Sequence, residues 1–420
     1  MLSVNRIFIG IMLVALITSS CQPIHAPSLT QTMPESRGLR PDAPPYAVNG
    51  TFWVGYWPSV SGEGKTRPLE ISIWYPALNP TGNKEEVRYE AKVKDATWSP
   101  KTPPTIYGHA LLNAGINGSK GPYPLIIFSH GFGGSAAGYS VFAEHYASYG
   151  FIVLAPEHTE QFEPSWGDLW KSSIDRPSDI KKTLDYAEEL TATGGEMAGL
   201  IDMENVAVVG HSYGGYTALA MAGARYDLAA YKARCARIPE DSPLAFLCTS
   251  LVPKEADMAA RAGLDSIPEG LWPSFDDPRV KVIIPMAGDS YLFDQAGLSK
   301  ITIPVMAMGG TADTSTPYDW GSKPTYDYIS SEQKALVTFV GAEHMIFGTP
   351  CKNQLWMRDH PLYEYFCFDP VWDKDRALDL INHFSTAFLL CTLKGDQAAH
   401  TALLSDANQF PGIEYTTTLK

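Results

Sequence analysis

Residues 206 to 215 read VAVVGHSYGG. The four apolar residues predict the end of a buried strand, and SYGGYTALAMAGA after them predicts a helix of small residues. Between the two, Gly210-His211-Ser212-Tyr213-Gly214 sets one serine two positions from a glycine on either side. G-x-S-x-G alone is a common pentapeptide. At a strand-to-helix junction it specifies a sharp elbow, on which the serine sits in a strained turn with its Oγ clear of the sheet. Gly210, Gly214 and Gly215 are then explained sterically, because side chains there would strike the adjoining strand and helix.

The rest of the chain supplies a frame for such an elbow. LEISIWYPA (69–77), YPLIIFSHG (123–131), GFIVLAPEH (150–158), NVAVVGHS (205–212), VKVIIPMAG (280–288), TIPVMAMGG (302–310) and ALVTFVGAEH (335–344) are short, apolar and closed by glycine or polar residues. Near-continuous runs of this kind suit strands buried on both faces. Helical periodicity falls between them at 138–149, at 177–190 starting on Pro177 and Ser178, from Ser212, and from Asp373 to Leu393. The alternation predicts an α/β, doubly wound, mostly parallel sheet, with ligands meeting the carboxyl ends of the strands. Residues 226–275 are too long for an ordinary connection and read as an inserted cap. No internal repeat is present.

A serine hydroxyl needs a base to take its proton, and the base needs an anion to hold its tautomer. In folds with this elbow the order is serine, acid, histidine. MGGTADTSTP places Asp313 just beyond a strand end, and VGAEHMIF places His344 after the next strand. His211 adjoins the serine but points elsewhere along the strand. Asp289, in MAGDSYLF, is the rival acid. Glu343 reads as a solvated neighbour of His344, and His360 and His383 as structural histidines. Two donors must meet the oxyanion. The N–H of Tyr213 is one; the N–H of Phe132, in SHGFGG after an early strand, is the other.

Three other features carry no chemistry. SVSGEGKT ends like a phosphate loop but has Ser59 where the first glycine belongs, so it reads as a surface turn. PEHTEQFE groups Glu157, His158, Glu160 and Glu163 at no standard metal spacing and reads as a solvated loop. Trp166, Trp170 and Trp272 suit either an acyl pocket or the packing of the insertion.

The chain has 420 residues and a formal charge of -14, from 32 Lys and Arg against 46 Asp and Glu, which disfavours a sequence-independent grip on nucleic acid. MLSVNRIFIGIMLVALITSSC has one cation, Arg6, and an apolar run to Ile17 of about eleven residues, short of the twenty or so needed to span a bilayer. Residues 1–21 therefore read as an export signal. Thr18-Ser19-Ser20-Cys21 resembles a lipobox, in which Cys21 would be lipidated and anchor the protein to a membrane; ordinary cleavage nearby is the alternative. The protein is expected outside the cytoplasm, periplasmic, membrane-anchored or secreted. Residues 22–48 read as a linker, 49–395 as the domain and 396–420 as a C-terminal tail. In an oxidising compartment Cys235 with Cys248, and Cys351 with Cys367, are local pairs, while Cys391 reads as a buried, inert thiol. Oligomeric state is left open.

ISIWYPA, PLIIFSHGFGGSAAGYS, GFIVLAPEHTE, VAVVGHSYGG, IPVMAMGGTADTSTP and GAEH together resemble the serine esterases of the α/β-hydrolase superfamily. The similarity is to bacterial proteins akin to platelet-activating-factor acetylhydrolase and to predicted dienelactone hydrolases, and it spans roughly residues 50–390. It implies the α/β-hydrolase fold and a site without metal or cofactor. Dienelactone hydrolases use a cysteine nucleophile, whereas this elbow carries Ser212. The expected function is cleavage of short-chain or lipid-like carboxylic esters through an acyl-enzyme. Polyester or amide hydrolysis by the same residues, or a non-catalytic binding role, are the alternatives.

Overall fold

The apolar runs become strands because each is flanked by helices that cover both of its faces. In the computed structural model, which describes residues 38–64, 67–91, 104–158, 166–242 and 244–420, the strands are β1 (Trp53–Ser61), β2 (Leu69–Ala77), β3 (Val87–Glu90), β4 (Thr105–Gly108), β5 (Leu111–Leu112), β6 (Tyr123–Ser129), β7 (Ile152–Pro156), β8 (Ile201–His211), β9 (Val280–Met286), β10 (Val305–Gly310), β11 (Lys334–Phe339) and β12 (Ile413–Thr417). Ten of them form one sheet in the order β12-β11-β10-β9-β8-β6-β7-β2-β1-β5, and β3 and β4 pair separately. β7, β6, β8, β9, β10 and β11 run parallel. The strand order reverses at β6, between β7 and β8, so the crevice at the carboxyl ends of β6 and β8 is the switch point where such sheets bind ligands.

The helices are α1 (Ser140–Ser148), α2 (Leu169–Thr191), α3 (Tyr213–Met221), α4 (Leu228–Cys235), α5 (Ala245–Leu251), α6 (Glu255–Arg261), α7 (Asp294–Leu298), α8 (Ser322–Tyr328), α9 (Tyr363–Cys367), α10 (Lys374–Lys394) and α11 (Gln397–Ala402). The pleat of the strands sorts the core in two. Ala207 and Val209 of β8 join α1 and α10 in one apolar cluster, and Val206 and Val208 join α2 and α3 in the other. Each buried Val or Ile contributes about 1.5–3 kcal/mol, which holds β8 in a single register and fixes where its end lies.

Four expectations need correction. Helix α2 begins at Leu169, and Pro177 lies inside it. A proline there removes the N–H that would bond the carbonyl four residues back. That carbonyl, on Ser173, instead accepts the hydroxyls of Tyr216 (2.5 Å) and Tyr226 (2.8 Å), so the helix continues. Residues 396–420 are no tail: they carry α11 and β12, and β12 pairs antiparallel with β11 from Ile413 to Thr417. The end of the expected linker is docked, since the Leu39 and Arg40 amides bond Asp379 of α10 at 2.8 and 2.9 Å. Cys391 is free but only half-buried.

The span 226–275 holds α4, α5 and α6, with Cys235 and Cys248 joined across the first two. Arg261 of α6 bonds Asp175 of α2 through two nitrogens at 2.8 and 2.6 Å, which seats the insertion on that face. Trp272 packs against Tyr226 in the interior and Trp170 lies half-buried on the same cluster; the side chain of Trp166 lies outside the described structure. The export signal and Cys21, Glu160 and Glu163, and the Lys65-Thr66 end of SVSGEGKT lie outside the described residues. Among the described residues no helix is long and apolar enough to cross a membrane.

Candidate active site

Ser212 occupies a backbone conformation that side-chain-bearing residues rarely adopt, φ 57° and ψ -122°. Its N–H is held by the Met286 carbonyl of β9 at 2.8 Å, and helix α3 starts at the next residue. A Cβ on Gly214 would lie 1.9 Å from the Ser129 carbonyl oxygen, and one on Gly210 would lie 2.3 Å from that of Gly214. Only glycine lets β6, β8 and α3 close this tightly around a strained serine.

Asp313 follows β10 in a turn that fixes one carboxylate oxygen: its Oδ1 accepts the N–H of Ser315 (2.9 Å) and of Thr316 (2.7 Å). Its Oδ2 accepts Nδ1–H of His344 at 2.7 Å, which leaves Nε2 as the basic nitrogen. Burial of the imidazole opposes protonation, but the Asp313 carboxylate, helped by Asp289 and Glu343, outweighs it and holds His344 above its ordinary value. Ser212 and His344 line one cavity. Their side chains are not hydrogen-bonded here; contacts of this type tighten when substrate arrives.

The other residues weighed from sequence fall into distinct places. His211 is buried and spans Tyr139 Oη (2.8 Å) and the His344 carbonyl (3.1 Å). A carbonyl only accepts, so His211 Nε2 carries the proton and Nδ1 accepts from Tyr139; burial keeps the ring neutral. It thereby ties the residue before the nucleophile to the turn that carries His344. Glu343 accepts the Thr314 N–H and hydroxyl, both at 3.2 Å, and so joins the acid and histidine turns. His383 is buried in α10, whereas His360 lies in the cavity wall, a position its loop context did not signal. Asp289 also lines the cavity.

Phe132 and Tyr213 meet across the cavity with their rings edge to face, centroids 5.9 Å apart. Tyr213 opens α3, where helix geometry leaves an N–H without an intrahelical acceptor. The loop before Phe132 is gripped by Arg176 of α2, a residue the sequence reading passed over. Its buried guanidinium donates to the His130 carbonyl (2.6 Å) and the Gly131 carbonyl (3.1 Å) and lies 5.2 Å from the Tyr213 ring centre. One cation thus touches both segments expected to supply oxyanion donors. Beneath it, His158 bridges Ser129 Oγ (2.9 Å) and Asp179 Oδ2 (3.1 Å), and Glu157 accepts the Ala136 N–H at 3.1 Å. Glu157 and His158 are buried structural ties, not the solvated loop expected of PEHTEQFE. Among the described residues no cluster has the makings of a metal site.

Comparison with known proteins finds relatives over part of the chain. A family model described as chlorophyllase matches residues 89–233, the segment that contains Phe132, Ser212 and Tyr213. Platelet-activating factor acetylhydrolase of Cavia porcellus is 31% identical over 139 residues, 23% of this chain and 31% of that protein. The acetylhydrolase of Canis lupus familiaris is 27% identical over 225 residues, 41% of this chain and 47% of its own length. Chlorophyllase type 0 of Chenopodium album is 34% identical over 106 residues, 24% of this chain and 29% of its length. The chain thus spans less than half of each of these relatives. By fold it is an α/β-hydrolase.

The cavity of this α/β-hydrolase has a volume of about 830 Å³, within the range of small-molecule sites. Its walls come from both faces of the sheet. Leu169, Leu247 and Tyr291 belong to the core cluster on the α2 side, and Ala91, Ile106 and Tyr139 to the cluster on the α1 side, with Ser212 and His344 between. Residues from the loop 354–366 complete the wall, and the Cys351–Cys367 disulfide closes that loop.

Proposed function

We propose that this chain is an exported serine hydrolase that cleaves carboxylic esters of short-chain or lipid-like type through an acyl-enzyme. The observation that carries the reading is the 2.7 Å bond from His344 to Asp313 beside a strained Ser212, all at the carboxyl edge of one sheet. His344 Nε2 takes the Ser212 proton, the alkoxide attacks the ester carbonyl, and the Phe132 and Tyr213 amides hold the oxyanion. Asp313 stabilises the imidazolium, which then protonates the departing alcohol. Water, deprotonated by the same imidazole, releases the acid. The relatives named acetylhydrolase and chlorophyllase, and a cavity of small-molecule size lined by the serine, support an ester as substrate. The two disulfides and the apolar amino terminus support export, with Cys21 as the residue that would carry a lipid anchor.

The test is Ser212→Ala. Hydrolysis of p-nitrophenyl acetate should fall on the order of 10³-fold or more, and covalent labelling by a fluorophosphonate should vanish, while the far-ultraviolet spectrum stays that of the parent. A variant that keeps full activity, or a folded parent that takes no label, overturns the reading.

A further inference from the structure

The structure gives His344 Nδ1 to Asp313, so Asp289 is a carboxyl that hydrolysis as described leaves unused. It stands just beyond β9, 8% exposed, in the wall of the cavity. Its Oδ1 accepts the Thr316 hydroxyl at 2.8 Å, and among the described residues nothing hydrogen-bonds its other oxygen. Two residues on, Tyr291 also lines the cavity; it is 1% exposed and its hydroxyl has no hydrogen-bond partner. The ring of Tyr231, whose hydroxyl is likewise buried and unpartnered, packs against Tyr291 with centroids 5.6 Å apart. Both hydroxyls are closed off from solvent and so lie beyond the reach of a ligand, whereas the second oxygen of Asp289 is not enclosed in this way and is the acceptor that the wall offers.

The charge pattern narrows that ligand. Among the described residues that line the cavity there is no lysine and no arginine, and Asp289 is the sole carboxyl. Burial is the largest influence on it and, with Asp313 acting in the same direction, pushes the group up to about 7, against the Thr316 hydroxyl, His344 and Arg176, which favour its ionised form. No permanent cation stands in this wall to neutralise a carboxylate or phosphate on a substrate. A hydroxyl or an ammonium would instead give Asp289 the donor it lacks.

We propose that Asp289 forms a polar subsite in the wall of the cavity, which takes a hydrogen-bond-donating substituent of the ester, hydroxyl or ammonium, and turns away an anionic one. This rests on the esterase reading and specifies its substrate class. No covalent step is added, because the subsite binds a substituent of the ester and not the reacting carbonyl.

The experiment compares kcat/KM for esters matched in length that end in methyl, hydroxyl, ammonium or carboxylate. One series carries the group on the acyl chain and a second carries it on the alcohol. In one of the two series the parent enzyme should prefer the hydroxyl or ammonium ester over the methyl ester roughly tenfold, and reject the carboxylate ester by a similar factor. Asp289→Asn should bring the ammonium and carboxylate esters to within about twofold of the methyl ester. If neither series discriminates, or if Asp289→Asn slows all esters equally, the subsite is refuted while the esterase stands; an equal loss would mean that Asp289 acts on His344. Absence of turnover of every ester, with no labelling of Ser212, removes the esterase reading and the subsite with it.

Discussion

At His344 two opposing forces meet. Burial favours the neutral ring and Asp313 favours the charged one, with the second in excess, so the folded imidazole titrates above its ordinary 6.5. The proposed base works neutral. Activity should therefore rise with pH through that raised value and level off above it. Asp313→Asn removes the main opposition to burial, moves the rising limb to lower pH, and should cost about 10³–10⁴-fold in kcat, read from p-nitrophenyl ester hydrolysis between pH 5 and 9. A limb that stays in place would show that Asp289 or Glu343 dominates the field at the ring. Ser212, Asp313 and His344 were legible in sequence because each follows a recognisable strand end by one to five residues. Arg176 was not. In SSIDRPSD it is one more polar residue on a helix, and its meaning comes from the carbonyls of His130 and Gly131, some 45 positions away in the chain.

At the scale of elements, the informative departures are those in which a distant group repairs a local fault. Pro177 signals a helix start, yet α2 runs through it because Tyr216 and Tyr226, from α3 and the turn beyond, take over the orphaned Ser173 carbonyl. The disulfides act in the same way on the cavity wall, since neither α5 nor the 351–367 loop has strands to fix it. Cys351 and Cys367 lie 16 positions apart, and a cross-link of that span contributes about 3 kcal/mol by restricting the unfolded chain. Between them lie Trp356, Met357 and Phe366, all in the wall of the cavity. A Cys351→Ser, Cys367→Ser double variant should melt earlier and show a raised KM for long-chain esters, while a small fluorophosphonate still labels Ser212. An unchanged KM would mean that the loop holds its shape without the bridge.

For the molecule as a whole, the sheet is bounded by segments the sequence reading placed outside the fold. β12 covers β11, the strand that leads into His344, and Tyr415 of β12 packs on Phe384 of α10 with ring centres 5.0 Å apart. Ending the chain at Lys394 would bare that edge and uncover apolar rings worth about 1.5–3 kcal/mol each. The shortened protein should melt several degrees lower, by roughly 2–4 °C per kcal/mol lost, and should aggregate; equal stability by calorimetry would show β12 to be an accessory strand. The sequence by itself determined the parallel core, the elbow at Ser212 and the order of serine, acid and histidine, because these depend on local periodicity and on turns that only glycine permits. The tertiary structure alone decided the cover at the sheet edge, the Arg176 clamp and the unpaired Asp289 in the cavity wall. Those rest on which polar atoms meet once the chain has folded, and no run of neighbouring residues encodes a partner a hundred positions away.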